Sequence, residues 1–423
     1  MELLLLTDSF PNENGAGISQ TLFNLLDGWP HGCSVLLSAK EPVPENGNLE
    51  AKAIRYSDGP WQPMQNRLGR YLNKWLQSRR MQWLQKNGLK GVVAQLPAPS
   101  NCLVLVSTTV PEKIMAGRWL QQMGYRVIPY FMDDWMWGST LRWNGGGLSD
   151  TICKLLHEAP ACMMISRQLH QTLFHRCQLA SKPWLVVHNP APPVQMAVGN
   201  LPLEGEADDE NDTSRKLPTT NCELSNEQMP TAIRQLIYAG SIWPMHANAL
   251  VAVAAAIHAL NAKGEGSFEL RIYTSPSHWQ QHRPLLEGNG VSYAGWKPYA
   301  KIHKELAGAW LLVCTASFDE AHAAYSASSV QTKLTDYMAA GKPVLFVGPA
   351  GAASGQFVEE HDVGFTLATN SAADIAERLL AISALPVQYR RKCTNALREA
   401  GTRFSQAAVQ QRLYAFLEEV GRG

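Results

Sequence analysis

A chain of 423 residues, 45% hydrophobic and 17% charged, has the composition of a soluble globular protein, with two full-sized cores the simplest division. Its formal net charge of +1 gives no global reason to expect nucleic acid or an acidic partner. The eight cysteines are scattered with no CxxC pair, and five sit in or beside apolar runs, as buried free thiols do. A disulfide framework is therefore not expected, and the cytoplasm is the expected compartment.

The chain starts MELLLLTD. An acid at Glu2 and a run of only four leucines do not fit a signal peptide, which needs a basic start and an apolar core of about 7–15 residues. Nor does any stretch approach the roughly 18 apolar residues of a membrane span. Leu3–Leu6 reads instead as a first β-strand. It leads through TDSFPNENGAG into a helix over Ile18–Leu26. Gly15 and Gly17 in that loop allow close backbone approach to an anion or a sugar, without the spacing of a dinucleotide fingerprint.

Further strands are expected at Ser34–Ser38, Cys102–Ser107, Val127–Phe131, Ala161–Ile165 and Leu185–His188, with helices at Pro111–Met123 and Arg167–Cys177. Between the strands Ser34–Ser38 and Cys102–Ser107, residues 64–86 form a basic amphipathic helix candidate, with Arg67, Arg70, Lys74, Arg79, Arg80 and Lys86 interleaved with Leu68, Leu72, Trp75, Leu76 and Trp83. Two readings stand: a solvated helix covering the sheet, or a peripheral contact with an anionic membrane. After Phe131 come the adjacent carboxylates Asp133 and Asp134, then Trp135, Trp137 and Trp143. These could orient an acceptor hydroxyl and stack on sugar faces, or form a solvated loop with half-buried aromatics. His157 and His188 are read as structural.

From Pro190 to Pro230 large apolar residues are few and acids cluster (Glu204, Glu206, Asp208, Asp209, Glu210, Asp212). Such a segment cannot offset its ordering entropy and is read as a linker or insertion. The chain restarts with RQLIYAG. Strands are expected at Leu236–Ala239, Phe268–Tyr273, Trp310–Ala316, Val344–Val347 and Gly364–Leu367, with helices at Ala247–Ala262 and Ala372–Ile382. Short apolar runs alternating with helical patterns predict an α/β protein with parallel sheets covered by helices. Residues 404–420 predict a closing helix.

Open α/β sheets bind ligands beyond the carboxyl ends of their strands. Gly240 and Ser241 follow one such strand, and Ser317–Glu320 follow another. A loop rich in small residues (Ser326, Ser328, Ser329) then opens the helix predicted at 332–340 in TKLTDYMAAGKPVL. Lys333 in its first turn opposes the helix dipole, at a cost of about 0.3–1 kcal/mol. Either a bound phosphate relieves that conflict, or Lys333 pairs with Asp336 at i, i+3 for about 0.2–0.5 kcal/mol.

The two-domain plan, the glycine loop after the first strand and SSVQTKLTDYMAAGKPVL (328–345) together resemble the GT-B glycosyltransferases of the retaining family 4 type. IPYFMDDW (128–135), MISRQL (164–169) and VVHNP (186–190) add weaker support. The resemblance implies two facing Rossmann-like domains: an acceptor-side domain over 1–190, a linker at 191–230, a nucleotide-sugar domain over 231–403, and a helix at 404–423 packing back on the first domain. It implies a nucleotide-diphosphate sugar as donor substrate, a glycan or lipid-linked acceptor, no required metal, and a role in polysaccharide or glycoconjugate synthesis. By position, Asp336 matches the acid on the donor ribose, while Lys333 and the amides near Ser328, Ser329 and Val330 fall where the diphosphate lies. Gly15 and Gly17 match the loop closing on the donor, Gly240 and Ser241 border its phosphates, and Asp133 or Asp134 faces the cleft. Two departures stand out: the first acid of the family's E-x7-E pattern is Ser328, and the usual Arg and Lys after the second domain's first strand are replaced by Ser241 and His246. A sugar-nucleotide epimerase and a catalytically degenerate binding or scaffold protein are the alternative readings.

Overall fold

Leu3–Leu6 are at most 1% exposed, because their strand is flanked on both edges and covered on both faces. This strand is β1 (Glu2–Thr7), followed by β2 (Cys33–Ser38), β3 (Lys52–Tyr56), β4 (Cys102–Ser107), β5 (Arg126–Phe131), β6 (Cys162–Met164) and β7 (Trp184–Val186). All pair in parallel, in the order β3-β2-β1-β4-β5-β6-β7. In this computed structural model the described residues are 1–57 apart from 14 and 16, then 83, 87, 89–136, 146–194 and 233–422. Side chains alternate across the sheet: Leu4 and Leu6 pack with Val104, Ile114 and Leu155, while Leu3 and Leu5 pack with Leu22, Leu25 and Leu417.

Leu417 belongs to the last helix, Gln406–Arg422. This helix lies against Ile18–Leu26, where Gln410 donates to the carbonyls of Asn24 (3.1 Å) and Asp27 (2.7 Å). The C-terminal segment thus completes the hydrophobic cover of the first sheet. Just before it, the Ala191 amide donates to the Phe404 carbonyl at 2.7 Å.

The second sheet contains β8 (Arg234–Ala239), β9 (Phe268–Tyr273), β10 (Val291–Gly295), β11 (Leu311–Thr315), β12 (Val344–Val347) and β13 (Gly364–Leu367). It is parallel throughout, in the order β10-β9-β8-β11-β12-β13. Strand order reverses between β8 and β11, which opens a crevice at their carboxyl ends. The helix Pro244–Lys263 is long and apolar enough to cross a membrane by composition. Here it is a core helix, with Leu250, Val253, Ile257 and Leu260 buried against the sheet. Gly341 ends the helix Lys333–Ala339 with φ of 66°, and a Cβ there would meet Leu397 at 2.9 Å. Both the left-handed backbone and the tight packing call for glycine.

The fold differs from the sequence expectation in two respects. Strands β3 and β10 were not anticipated; both are edge strands. In β3 only Ile54 and Tyr56 are buried, and in β10 only Val291 is, so neither carries the continuous apolar run of a central strand. Cys153 and Cys177 form a disulfide. No local spacing signals it, because the two residues lie on separate helices, Gly146–Glu158 and Arg167–Cys177, whose packing brings their Cα atoms to 5.2 Å. Of the stretch 64–86, Trp83 is half-buried against the first core. The rest, like residues 195–230 of the expected linker, Trp137 and Trp143, lies outside the described residues.

Candidate functional site

The helix Lys333–Ala339 is held to the β8–β11 crevice by Tyr337. Its hydroxyl accepts from the Ala239 amide at 3.0 Å and donates to the Val313 carbonyl at 3.2 Å. Lys333 lies four residues earlier and so shares that face. Its ammonium sits 4.1 Å from the centroid of the Tyr238 ring, a cation–π distance. The Nζ atom is buried and has no hydrogen-bond partner among the described residues. Gly240 follows β8 with φ of 129°. A Cβ there would lie 3.2 Å from Nζ, so the backbone conformation calls for glycine and a side chain would crowd the lysine.

Burial pushes Lys333 down to about 8, opposed by Cys314 and Asp336. Burial pushes Asp336 up to about 7, against the effects of Tyr299 and Lys333. Tyr299, at the start of the helix that follows β10, donates to the Asp336 carboxylate at 2.6 Å. A buried cation without a partner and a buried carboxylate with one donor both retain unused bonding capacity. Asp336 faces Tyr299, and no hydrogen bond or ion pair joins it to Lys333. The i, i+3 ion pair weighed from the sequence is therefore not formed.

Ser241 is exposed, and its carbonyl accepts from the Tyr238 hydroxyl at 2.8 Å. His246 is buried and held by the Thr315 carbonyl at 3.0 Å. Burial and then Lys333 push it down to about 3, so it supplies a neutral imidazole. The same Thr315 carbonyl accepts from the Gln331 side chain at 2.8 Å. That leaves the buried Gln331 Oε1 without a partner among the described residues.

Ser328, Ser329 and Val330 are buried along the seam between the two sheets. The Ser329 hydroxyl donates to Asp133 at 2.6 Å, and the Ser166 hydroxyl donates to the Ser328 carbonyl at 2.5 Å. The Ser329 amide is already engaged by the Tyr325 carbonyl at 2.9 Å. Asp133 is pushed up to about 6 by burial, against hydrogen bonds from Ser329 and Tyr325. Asp134 points elsewhere. It is 4% exposed, accepts from Arg176 at 2.8 and 3.0 Å, and accepts from the Met136 amide at 3.0 Å. Adjacent residues of one strand end thus take different duties, Asp133 across the seam and Asp134 within the first unit.

Gly15 and Gly17 stand beyond β1, where Gly15 donates to the Asn12 carbonyl at 3.0 Å and Gly17 has φ of 56°. Lys333, Asp336, Gly240 and Ser241 gather at one crevice; Asp133, Ser328 and Ser329 meet at the adjoining seam. Tyr299, Tyr325, Gln331 and Ser166 were not anticipated as members. Only Ser166 has a local signal, a serine directly before a helix, and it does cap that helix by accepting from the Leu169 amide at 2.9 Å.

Comparison with solved structures identifies the architecture. Anabaena HepE in complex with UDP superposes with a TM-score of 0.65 at 13% identity, covering 99% of this chain and 100% of HepE. Sucrose-phosphate synthase from Thermosynechococcus elongatus gives 0.67 at 12% identity, over 99% of this chain and 98% of that one. The chain has the GT-B fold. WaaG, described as a glycosyltransferase involved in lipopolysaccharide biosynthesis, gives 0.58 at 15% identity, over 100% of this chain and 98% of its own. Residues 252–408 match the family described as glucosyltransferase 3-like, C-terminal domain. No curated protein sequence matches the chain. The region matched by the family includes Lys333, Asp336 and the Ser328–Val330 segment, but begins after Gly240, Ser241 and His246.

Proposed function

We propose that this protein is a glycosyltransferase that moves a sugar from a nucleotide-diphosphate donor to an acceptor hydroxyl. One observation carries the reading: a buried Lys333 ammonium without a partner at the carboxyl end of β8, beside the glycine Gly240. A desolvated cation is costly unless an anion joins it. A diphosphate at this strand end supplies that anion. Asp336, with acceptor capacity beyond the Tyr299 bond, suits the two hydroxyls of a ribose. HepE is described in complexes with UDP and with UDP-glucose, which supports a uridine diphosphate sugar as the donor.

In the reaction the bond between the anomeric carbon and the diphosphate oxygen breaks, the acceptor oxygen forms the new glycosidic bond, and the acceptor's hydroxyl proton passes to the departing diphosphate oxygen. Positive charge develops on the sugar ring while negative charge collects on the leaving diphosphate. Lys333 acts on that leaving group. Its charge stabilises the developing anion in a site that excludes water, and a bound dianion raises its proton affinity again. Attack from the leaving-group side would give retention, which accords with the family 4 resemblance and needs no side-chain nucleophile. Likeness to WaaG supports an acceptor among surface glycoconjugates, and a cytoplasmic nucleotide-sugar pool is the matching donor source.

A catalytically degenerate binding protein is the second reading. It is favoured by the neutral His246 and by the engagement of Ser328 and Ser329 in the seam. Thermal shift against UDP, other nucleoside diphosphates and their sugars, followed by donor turnover, decides between the two. Selective stabilisation with donor consumption is expected. Stabilisation without turnover gives the binding protein, and no stabilisation by any of them removes both readings.

A further inference from the structure

A cavity of about 580 Å³ opens on the side of the molecule where the first sheet's last strand, the helix Ala353–Glu360 and the segment entering the C-terminal helix meet. That volume lies within the range of roughly 300–1,000 Å³ typical of small-molecule sites. Its lining shares Ser166 and Val330 with the seam described above, and contains none of Lys333, Asp336, Gly240 and Ser241.

The cavity combines an aromatic floor with a basic rim. On the floor, His188 lies 5.2 Å from Phe357 and 5.6 Å from Phe404, and His361 lies 5.0 Å from Phe404, between ring centroids. Arg167, Arg403 and Arg412 line the rim, and none of them forms an ion pair with a described acid. Arg412 spends one donor on the Arg403 carbonyl at 2.7 Å. The lining contains one acid, Glu360, and the neighbouring Glu399 is taken up by His361 at 3.2 Å. On the floor the buried Nδ1 of His188 has no partner among the described residues. Burial first, and then His361, Arg403 and Arg412, drive His188 down to about 3, so its ring is neutral.

Three guanidinium groups with no ion pair to a described acid suit a phosphate, whose oxygens accept bidentate bonds. Flat aromatic rings below them offer the apolar contact that the carbon face of a sugar ring needs. We propose that this crevice is a second ligand site, for a phosphate monoester of monosaccharide size. The proposal stands independently of the donor reading.

Isothermal titration of the full-length protein with glucose 6-phosphate, glucose 1-phosphate, inorganic phosphate and glucose tests it. At least one sugar phosphate is expected to bind at low salt, tenfold or more tightly than inorganic phosphate, and glucose is expected not to bind. The double variant Arg403→Gln/Arg412→Gln should lose at least tenfold in that affinity, while Lys333→Ala keeps it. Equal binding of inorganic phosphate, unchanged binding by the double variant, loss in Lys333→Ala, or no binding of either sugar phosphate at millimolar concentration each overturns the proposal. Should the double variant fail to fold, Arg167→Gln decides. This exposed first residue of its helix should lose severalfold in affinity with an unchanged melting temperature, and unchanged affinity there also overturns it.

Discussion

Lys333 and Tyr337 lie one helical turn apart, face the same strand end and end in opposite states of satisfaction. The tyrosine hydroxyl is bonded to both the Ala239 amide and the Val313 carbonyl, whereas the lysine ammonium has no hydrogen-bond partner among the described residues. Tyr337 fixes the helix in place, and the fixed helix holds Lys333 against the Tyr238 ring.

Lys333→Ala should therefore weaken donor binding and turnover together, with turnover falling about 100-fold or more, the scale seen when one electrostatic stabiliser of a transition state is removed. Stability should not fall, since an uncompensated buried charge is removed. Donor consumption and urea unfolding on the same preparations check both parts. Near-normal turnover would remove the phosphate role.

The free protein's kcat/KM should have a bell-shaped pH profile. Asp336, at about 7, must lose its proton to accept fully from ribose hydroxyls, so activity rises through that value. Lys333, at about 8, must keep its proton, so activity falls above it. In Lys333→Arg the basic limb should vanish even if the rate is low, because arginine does not titrate there.

Tyr299→Phe removes the hydrogen bond that favours the ionised Asp336. The acid limb should then move up by about one pH unit or more, since about 1.5 kcal/mol is the lower end for a hydrogen bond to a charged group. A purely structural role for Tyr299 would lower stability and leave the limb where it is.

Arg176→Ala leaves the Asp134 carboxylate buried without its cation. Because Arg176 is itself partly exposed, the expected loss is on the lower side of buried pairs, about 2–3 kcal/mol. Turnover per folded molecule should be unchanged, since Asp134 faces Arg176 and not the seam. A large fall in turnover at full stability would return Asp134 to the acceptor side of the cleft.

Much of the fold was legible because the central strands are buried on both faces, so runs such as Leu3–Leu6 and Val344–Val347 are apolar without a break. Edge strands lack that signature, and Val291–Gly295 contributes one buried residue to the core. For the candidate site, Lys333 was legible as a charge in an unfavourable place on a helix, and Asp336 by its spacing from it. Tyr299 and Tyr325 were not. Each acts on a carboxylate distant in sequence, Asp336 at 37 positions and Asp133 from the other sheet's unit, and such a pairing exists only after the chain has folded. Asp133 and Asp134 looked equivalent as sequence neighbours, and only the packing of Arg176 separated them.

Ser166 has one hydroxyl that accepts from the Leu169 amide on its own helix and donates to the Ser328 carbonyl across the seam. Only the second of these bonds joins the two halves. If the halves part, the hydroxyl can turn its hydrogen to water while its lone pair goes on receiving the amide. The helix Arg167–Cys177 would therefore stay capped in open and closed forms alike, and hinge motion at this point would carry no penalty in helix stability.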